Sequence, residues 1–88
     1  PRGRSYLADQ LYRASSSAVL NIAEGAGEFS KSEKARFYRM AKRSSTECAA
    51  ILDIFLRLDL IDRSKFDSGR ELLLRTVSML IKMVKNTV

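Results

Sequence analysis

Histidine and tryptophan are absent from the 88 residues, cysteine and proline occur once each, and glycine occurs four times. Each shortage excludes something. Without histidine there is no imidazole acid–base chemistry, no Ser–His or Cys–His nucleophile pair, and no di-iron bundle built on Glu-x-x-His. A single cysteine cannot close an internal disulfide, and its place in an apolar stripe suggests a buried thiol in a reducing compartment. The only proline is Pro1 and three of the four glycines fall by residue 27, which leaves long stretches without a helix breaker. No apolar run approaches the length of a membrane span, and the first residues lack the pattern of a signal peptide. The location these features predict is the cytoplasm.

What is present is a soluble helical composition, 45% hydrophobic and 30% charged. The length predicts a single all-α domain over residues 1–88 with a small core. The chain is organised around the segment 30–58, which contains neither Gly nor Pro. Phe37, Ala41, Ser44, Cys48, Ile51, Phe55 and Leu58 recur there at alternating steps of four and three, one buried stripe in which only Ser44 is polar. Ser30 and Glu33 have the spacing of a capping box, with the hydroxyl accepting from an early amide and the carboxylate returning to the cap. At about 1.5 Å per residue this helix would be roughly 43 Å long. Its first half holds Lys31, Lys34, Arg36, Arg39, Lys42 and Arg43 against Glu33 alone, so that five of the six net positive charges sit between residues 31 and 43. A net charge of this sign favours a polyanionic partner.

Before that helix, residues 1–5 read as a flexible lead-in with Ser5 as a cap. Residues 6–24 follow a helical pattern in which Leu7, Leu11, Ala14, Ala18 and Ile22 share a face. Small residues from Ala14 to Ala18 make its middle thin and let a neighbour approach closely. A polar seam of Gln10, Ser17, Asn21 and Glu24 runs beside the apolar stripe, and Gly25 and Gly27 supply a glycine stop. The short connection predicts an antiparallel pair. Asp62 then caps a last helix over 63–86, with Ile61 and Phe66 spaced as a hydrophobic staple. That helix is apolar over most of its circumference, with only Glu71, Arg75, Ser78, Lys82 and Lys85 forming a polar stripe. Two explanations stand: burial between two neighbouring helices, or a subunit interface on one of its two stripes. Leu74, Ile81 and Val88 form one heptad stripe and Leu73, Leu80 and Val84 lie near another, so one stripe should face the core and the other a second copy.

The run Gln10-Leu-Tyr-Arg-Ala, followed by Asn21-Ile-Ala-Glu-Gly25, resembles the proteins encoded in intervening sequences of bacterial 23S ribosomal RNA genes, the S23 or "four helix bundle" family. Ala41-Lys-Arg-Ser44-Ser-Thr-Glu47 is similar to that family's second motif, Ala-x-x-Ser-x-x-Glu, and the resemblance spans essentially the whole chain. It implies an antiparallel up-and-down bundle assembling into a ring-like homopentamer, with no enzymatic activity and no cofactor. The accessory proteins of diversity-generating retroelements resemble this fold, and bind nucleic acid and a reverse transcriptase. The family pattern also implies an amphipathic helix ahead of Pro1-Arg-Gly-Arg-Ser5. Three helices without it form a family four-helix bundle lacking its first helix, and should leave an apolar groove uncovered.

The arginines carry the sharpest functional hypothesis. Arg36, Arg39 and Arg43 fall within about 60° of one another on an ideal helix, and Arg57 rejoins that face. Such a ridge can straddle phosphates, which arginine grips with two donors; the plainer reading is a solvated helix face. Lys31, Lys34 and Lys42 lie on another flank and read as solvating charges. Asn21 and Glu24 with Ser44 and Glu47 contain a carboxylate pair. Without histidine or a metal-ligand set they read instead as a structural polar network, with Arg43 one turn from Glu47 to neutralise it. Cys48 reads as a small core hydrophobe. The function these features predict is non-enzymatic binding of RNA or DNA by an oligomer. The alternative is an adaptor whose basic face recruits a protein such as a polymerase.

Overall fold

The computed structural model describes residues 2–87, with side chains from Ser5 onward. It is all-helical: α1 spans Arg2–Ala26, α2 spans Lys31–Arg57 and α3 spans Arg63–Thr87. The three run up, down and up, with α2 in the middle; no α-carbon of α1 lies within 8 Å of one in α3 among the described residues. The result is a slab of 44 × 22 × 13 Å, about one helix thick.

The first helix begins at Arg2, where a flexible lead-in was expected. Gly3 is the only poor helix former in that stretch, and its cost of about 1 kcal/mol does not stop a helix continued by the Leu7 turn. At the other end no glycine has positive φ, so α1 is not stopped by a left-handed glycine. The amide of Gly27 donates to the carbonyls of Ala23 and Glu24, both at 3.2 Å. Lys34 Nζ reaches back from α2 to the carbonyl oxygens of Gly25 at 2.8 Å and Ala26 at 3.3 Å. A cation on the last carbonyls complements the helix dipole, so Lys34 is a cap, not a solvating charge.

Gly25 therefore sits inside the helix, and packing explains it. A Cβ there would stand 2.6 Å from Tyr38 Cε1 and 2.8 Å from Tyr38 Cδ1. The missing side chain is what lets α1 lie against the Tyr38 ring.

Ser30 caps α2, its hydroxyl accepting from the Glu33 amide at 3.3 Å. The return half of the expected capping box is not made, because the Glu33 carboxylate is taken by Arg36. The buried residues of α2 are Ala35, Tyr38, Ala41, Ser44, Ser45, Cys48, Leu52 and Phe55. That arc is wider than the single stripe in the sequence, since a central helix has neighbours on two sides. Tyr38 is buried where Phe37 was expected, and Leu58 is exposed. At its C-terminus the Leu60 amide bonds to Phe55 O at 2.9 Å and the Asp59 amide to Leu56 O at 3.1 Å. With Asp59 at φ 57°, this is a Schellman end carried by aspartate in place of glycine. Asp62 then caps α3, accepting from the Lys65 amide at 2.8 Å.

On α3 only Phe66 and Leu80 are buried. Leu80, Tyr38 and Ala41 form the central cluster, against which Ile22, Met83 and Val84 pack. Leu73 and Val84 are half-buried beside Leu80, while Leu74 and Ile81 of the other stripe are 52% and 45% exposed. Leu72 and Met79 are exposed on the opposite flank. Among the described residues the backbone of α3 comes close to that of α2 alone, so burial between two helices does not account for its wide apolar arc. Val88 lies outside the described residues.

Candidate nucleic-acid interface

The buried arc of α2 fixes the direction of its charges. Arg36, Arg39, Arg43 and Arg57 project from the side opposite Ala41, Cys48 and Leu52 and are all exposed. They are not equivalent. Arg36 donates from Nε and Nη2 to Glu33 Oε2 at 3.0 and 2.9 Å, and its guanidinium covers the Phe37 ring at 4.6 Å. Half its charge function is thus already answered. Arg39, Arg43 and Arg57 make no ion pair among the described residues. Their guanidinium groups remain available to a ligand's oxygens. Glu47 and Asp53 also lie on the exposed side of α2 between Arg43 and Arg57, which separates the ridge into a cluster at 36–43 and a single arginine further on.

The polar network is smaller than the sequence suggested and has a different centre. Ser17 and Ser44 share a hydrogen bond of 2.9 Å between α1 and α2, and Asn21 Nδ2 donates to Ser17 O at 2.8 Å and Ser17 Oγ at 3.2 Å. Ser17, part of the seam but not of the expected network, is its hub. Glu24 and Glu47 are exposed and make no side-chain hydrogen bond or ion pair among the described residues, and Arg43 does not neutralise Glu47. Their helical positions lie about one residue's rotation away from the α1–α2 contact, so carboxylates there reach water first. The motif residues divide accordingly: Asn21 and Ser44 converge and the two glutamates do not. Ser44→Ala should cost about 1 kcal/mol by removing the hydrogen bond that Ser17 makes across to α2. Glu47→Ala should stay within about 0.5 kcal/mol of the parent. Thermal melts of both variants check the contrast.

Cys48 is 3% exposed. Burial raises its thiol pKa above the ordinary value, and the Glu47 carboxylate pushes the same way. The protonated thiol is the poor nucleophile. No group of three or more His, Cys, Asp or Glu side chains able to hold a metal occurs among the described residues. A shallow hollow lies along α3 between Glu71 and Asn86 and is lined by that helix alone. No described helix is long and apolar enough to cross a membrane.

The signals missed in the sequence were of one kind. Lys34 as a cap and Gly25 as a contact surface both depend on the neighbour that the fold brings up. Only the short connection between the two helices hinted that residues nine apart would meet.

The family model described as 23S rRNA-intervening sequence protein covers residues 2–82. No curated protein and no solved structure matches the chain.

Proposed function

Because the chain belongs to the 23S rRNA-intervening sequence protein family, we propose that it is a non-enzymatic, self-associating helical protein that binds RNA or DNA through the phosphate backbone. The observation that carries this reading is the outward face of α2, where Arg39, Arg43 and Arg57 are exposed and free of ion pairs among the described residues. The chain holds no recognisable base-reading element, so its contacts are to phosphate and carry no sequence preference. Self-association, in the ring-like pentamer implied by family resemblance or another closed form, repeats the cluster at 36–43 in each copy. Weak individual contacts then gain from avidity. The exposed Leu74 and Ile81 of α3 support the self-association half of the reading.

Affinity should fall steeply with salt, with a log–log slope of roughly −0.7 to −0.9 per phosphate contact. Replacing Arg36, Arg39 and Arg43 together by alanine should weaken binding to all sequences alike and flatten that slope. Of the three, Arg36 should matter least, since Glu33 must first release it. A folded triple variant that binds RNA and DNA as the parent does would sink the proposal.

One observation favours a second reading. Met40 and Ile54, 40% and 41% exposed, lie on the same face as the arginines. A mixed basic and apolar face also suits a protein partner such as a polymerase, for which salt would weaken binding less steeply than the counterion release from a nucleic acid does. Gel shifts across a salt series, run beside pull-downs at the same ionic strengths, separate the two.

A further inference from the structure

Phe29 is the most exposed large hydrophobic side chain among the described residues, at 101%. It lies in the connection between α1 and α2, one residue before the Ser30 cap, and nothing in its own chain covers it. A large apolar ring held fully in water gains free energy wherever a partner surface covers it.

A recipient exists elsewhere on the molecule. Between α2 and α3 lies a cleft of about 170 Å³ lined by Ala49, Leu73, Leu74 and Val77, with Asp53 and Arg70 also in its wall. It is too small for an ordinary small-molecule site, since those run about 300–1,000 Å³, but it admits one side chain. Asp53 and Arg70 are both exposed and neither forms an ion pair among the described residues. The charges beside Phe29 are their complement: Glu28 precedes it and Lys31 opens α2 just beyond it, again without ion pairs. The knob and the cleft cannot meet within one chain. From Ser30 to Ala49 the rise along α2 is about 28 Å.

We propose that Phe29 of one copy enters the α2–α3 cleft of a second copy, with Glu28 facing Arg70 and Lys31 facing Asp53. This rests on the self-association proposed above and names its two surfaces. Knob and cleft are different patches, so every copy both gives and receives. Such a head-to-tail contact closes into a ring when its rotation allows, and otherwise continues as a filament. A single phenyl ring buries about 150–250 Å², well below the roughly 1,200–2,000 Å² of a stable interface. Phe29 is therefore the anchor, and the exposed Ile81, one heptad beyond Leu74 in the cleft wall, supplies area beside it.

The experiment is sedimentation equilibrium of the chain through the micromolar range, with helicity followed by circular dichroism. Phe29→Ala should leave helicity unchanged and weaken association about 30-fold or more, as loss of a buried aromatic anchor does. Arg70→Glu should also weaken association, and adding Glu28→Arg in the same chain should restore it by reversing the pair. Phe29→Ala associating as the parent does, while Ile81→Glu, outside the cleft, dissociates the assembly, would overturn the knob-and-cleft contact and leave self-association through α3 standing. A parent chain that stays monomeric at all these concentrations would overturn both.

Discussion

Gly25→Val should lower the stability of the domain by about 3 kcal/mol, and Gly25→Ala by about 1–2 kcal/mol. Two opposing effects set these figures. Alanine in a helix gains up to about 1 kcal/mol over glycine in intrinsic propensity, which would favour the substitution at an open position. Here the new Cβ would stand 2.6 Å from a Tyr38 ring carbon. The ring is 5% exposed and belongs to the central cluster with Ala41 and Leu80, so it has nowhere to move. Overpacking of this kind costs about 1–3 kcal/mol and outweighs the propensity gain. For a domain of this size each kcal/mol corresponds to roughly 4–8 °C in midpoint. The diagnostic measurement is a double-mutant cycle in which the Gly25→Ala penalty shrinks or reverses when Tyr38 is already alanine. A Gly25→Ala variant that melts above the parent would show that α1 does not lie so close to α2.

Leu80→Ala should be the most damaging truncation on α3, costing about 2–5 kcal/mol. Leu80 is 0% exposed and is the member of the central cluster that α3 contributes, beside Tyr38 and Ala41 of α2. Leu80→Met, which keeps the volume, should cost less than about 1.5 kcal/mol. At the exposed stripe, Leu74→Ala and Ile81→Ala should stay within about 0.5 kcal/mol when the chain is dilute and monomeric. Denaturant titrations at low concentration test the ordering. Equal losses at Leu74 and Leu80 would mean that the faces of α3 have been assigned wrongly.

Fold class and charge placement were legible because they depend on what is near in sequence. The scarcity of breakers allowed only helices, Ser30 and Asp62 marked two of their beginnings, and the step pattern put the arginines opposite the core. Choices between near-equivalent neighbours were not legible. Phe37 and Tyr38 are both aromatic and one residue apart, and which is buried depends on a second helix packing against α2. Glu33 had two partners within one turn, and the arginine won over the cap amide. Glu24 and Glu47 sat in the motifs beside Asn21 and Ser44, yet periodicity alone does not say that Ser17 reaches Ser44 before either carboxylate does. The arginine face shows the same limit: spacing put four arginines on one side of α2, but did not show that one of them is engaged by Glu33.

The slab has one more consequence, for how the protein opens and closes. Since α1 and α3 each pack on α2 but not their backbones on each other, the fold is two helical hairpins sharing their middle element. Contacts are therefore mostly between neighbours in the chain, the condition under which small domains form fastest. It also means that α3 can detach while the α1–α2 hairpin survives, whereas nothing survives the loss of α2. Backbone amides of α2 should then be the last to exchange with deuterium, and those of α3 should exchange through a separate, lower-energy opening. On that pattern the arginine face of α2 would stay formed through openings that release the apolar flank of α3.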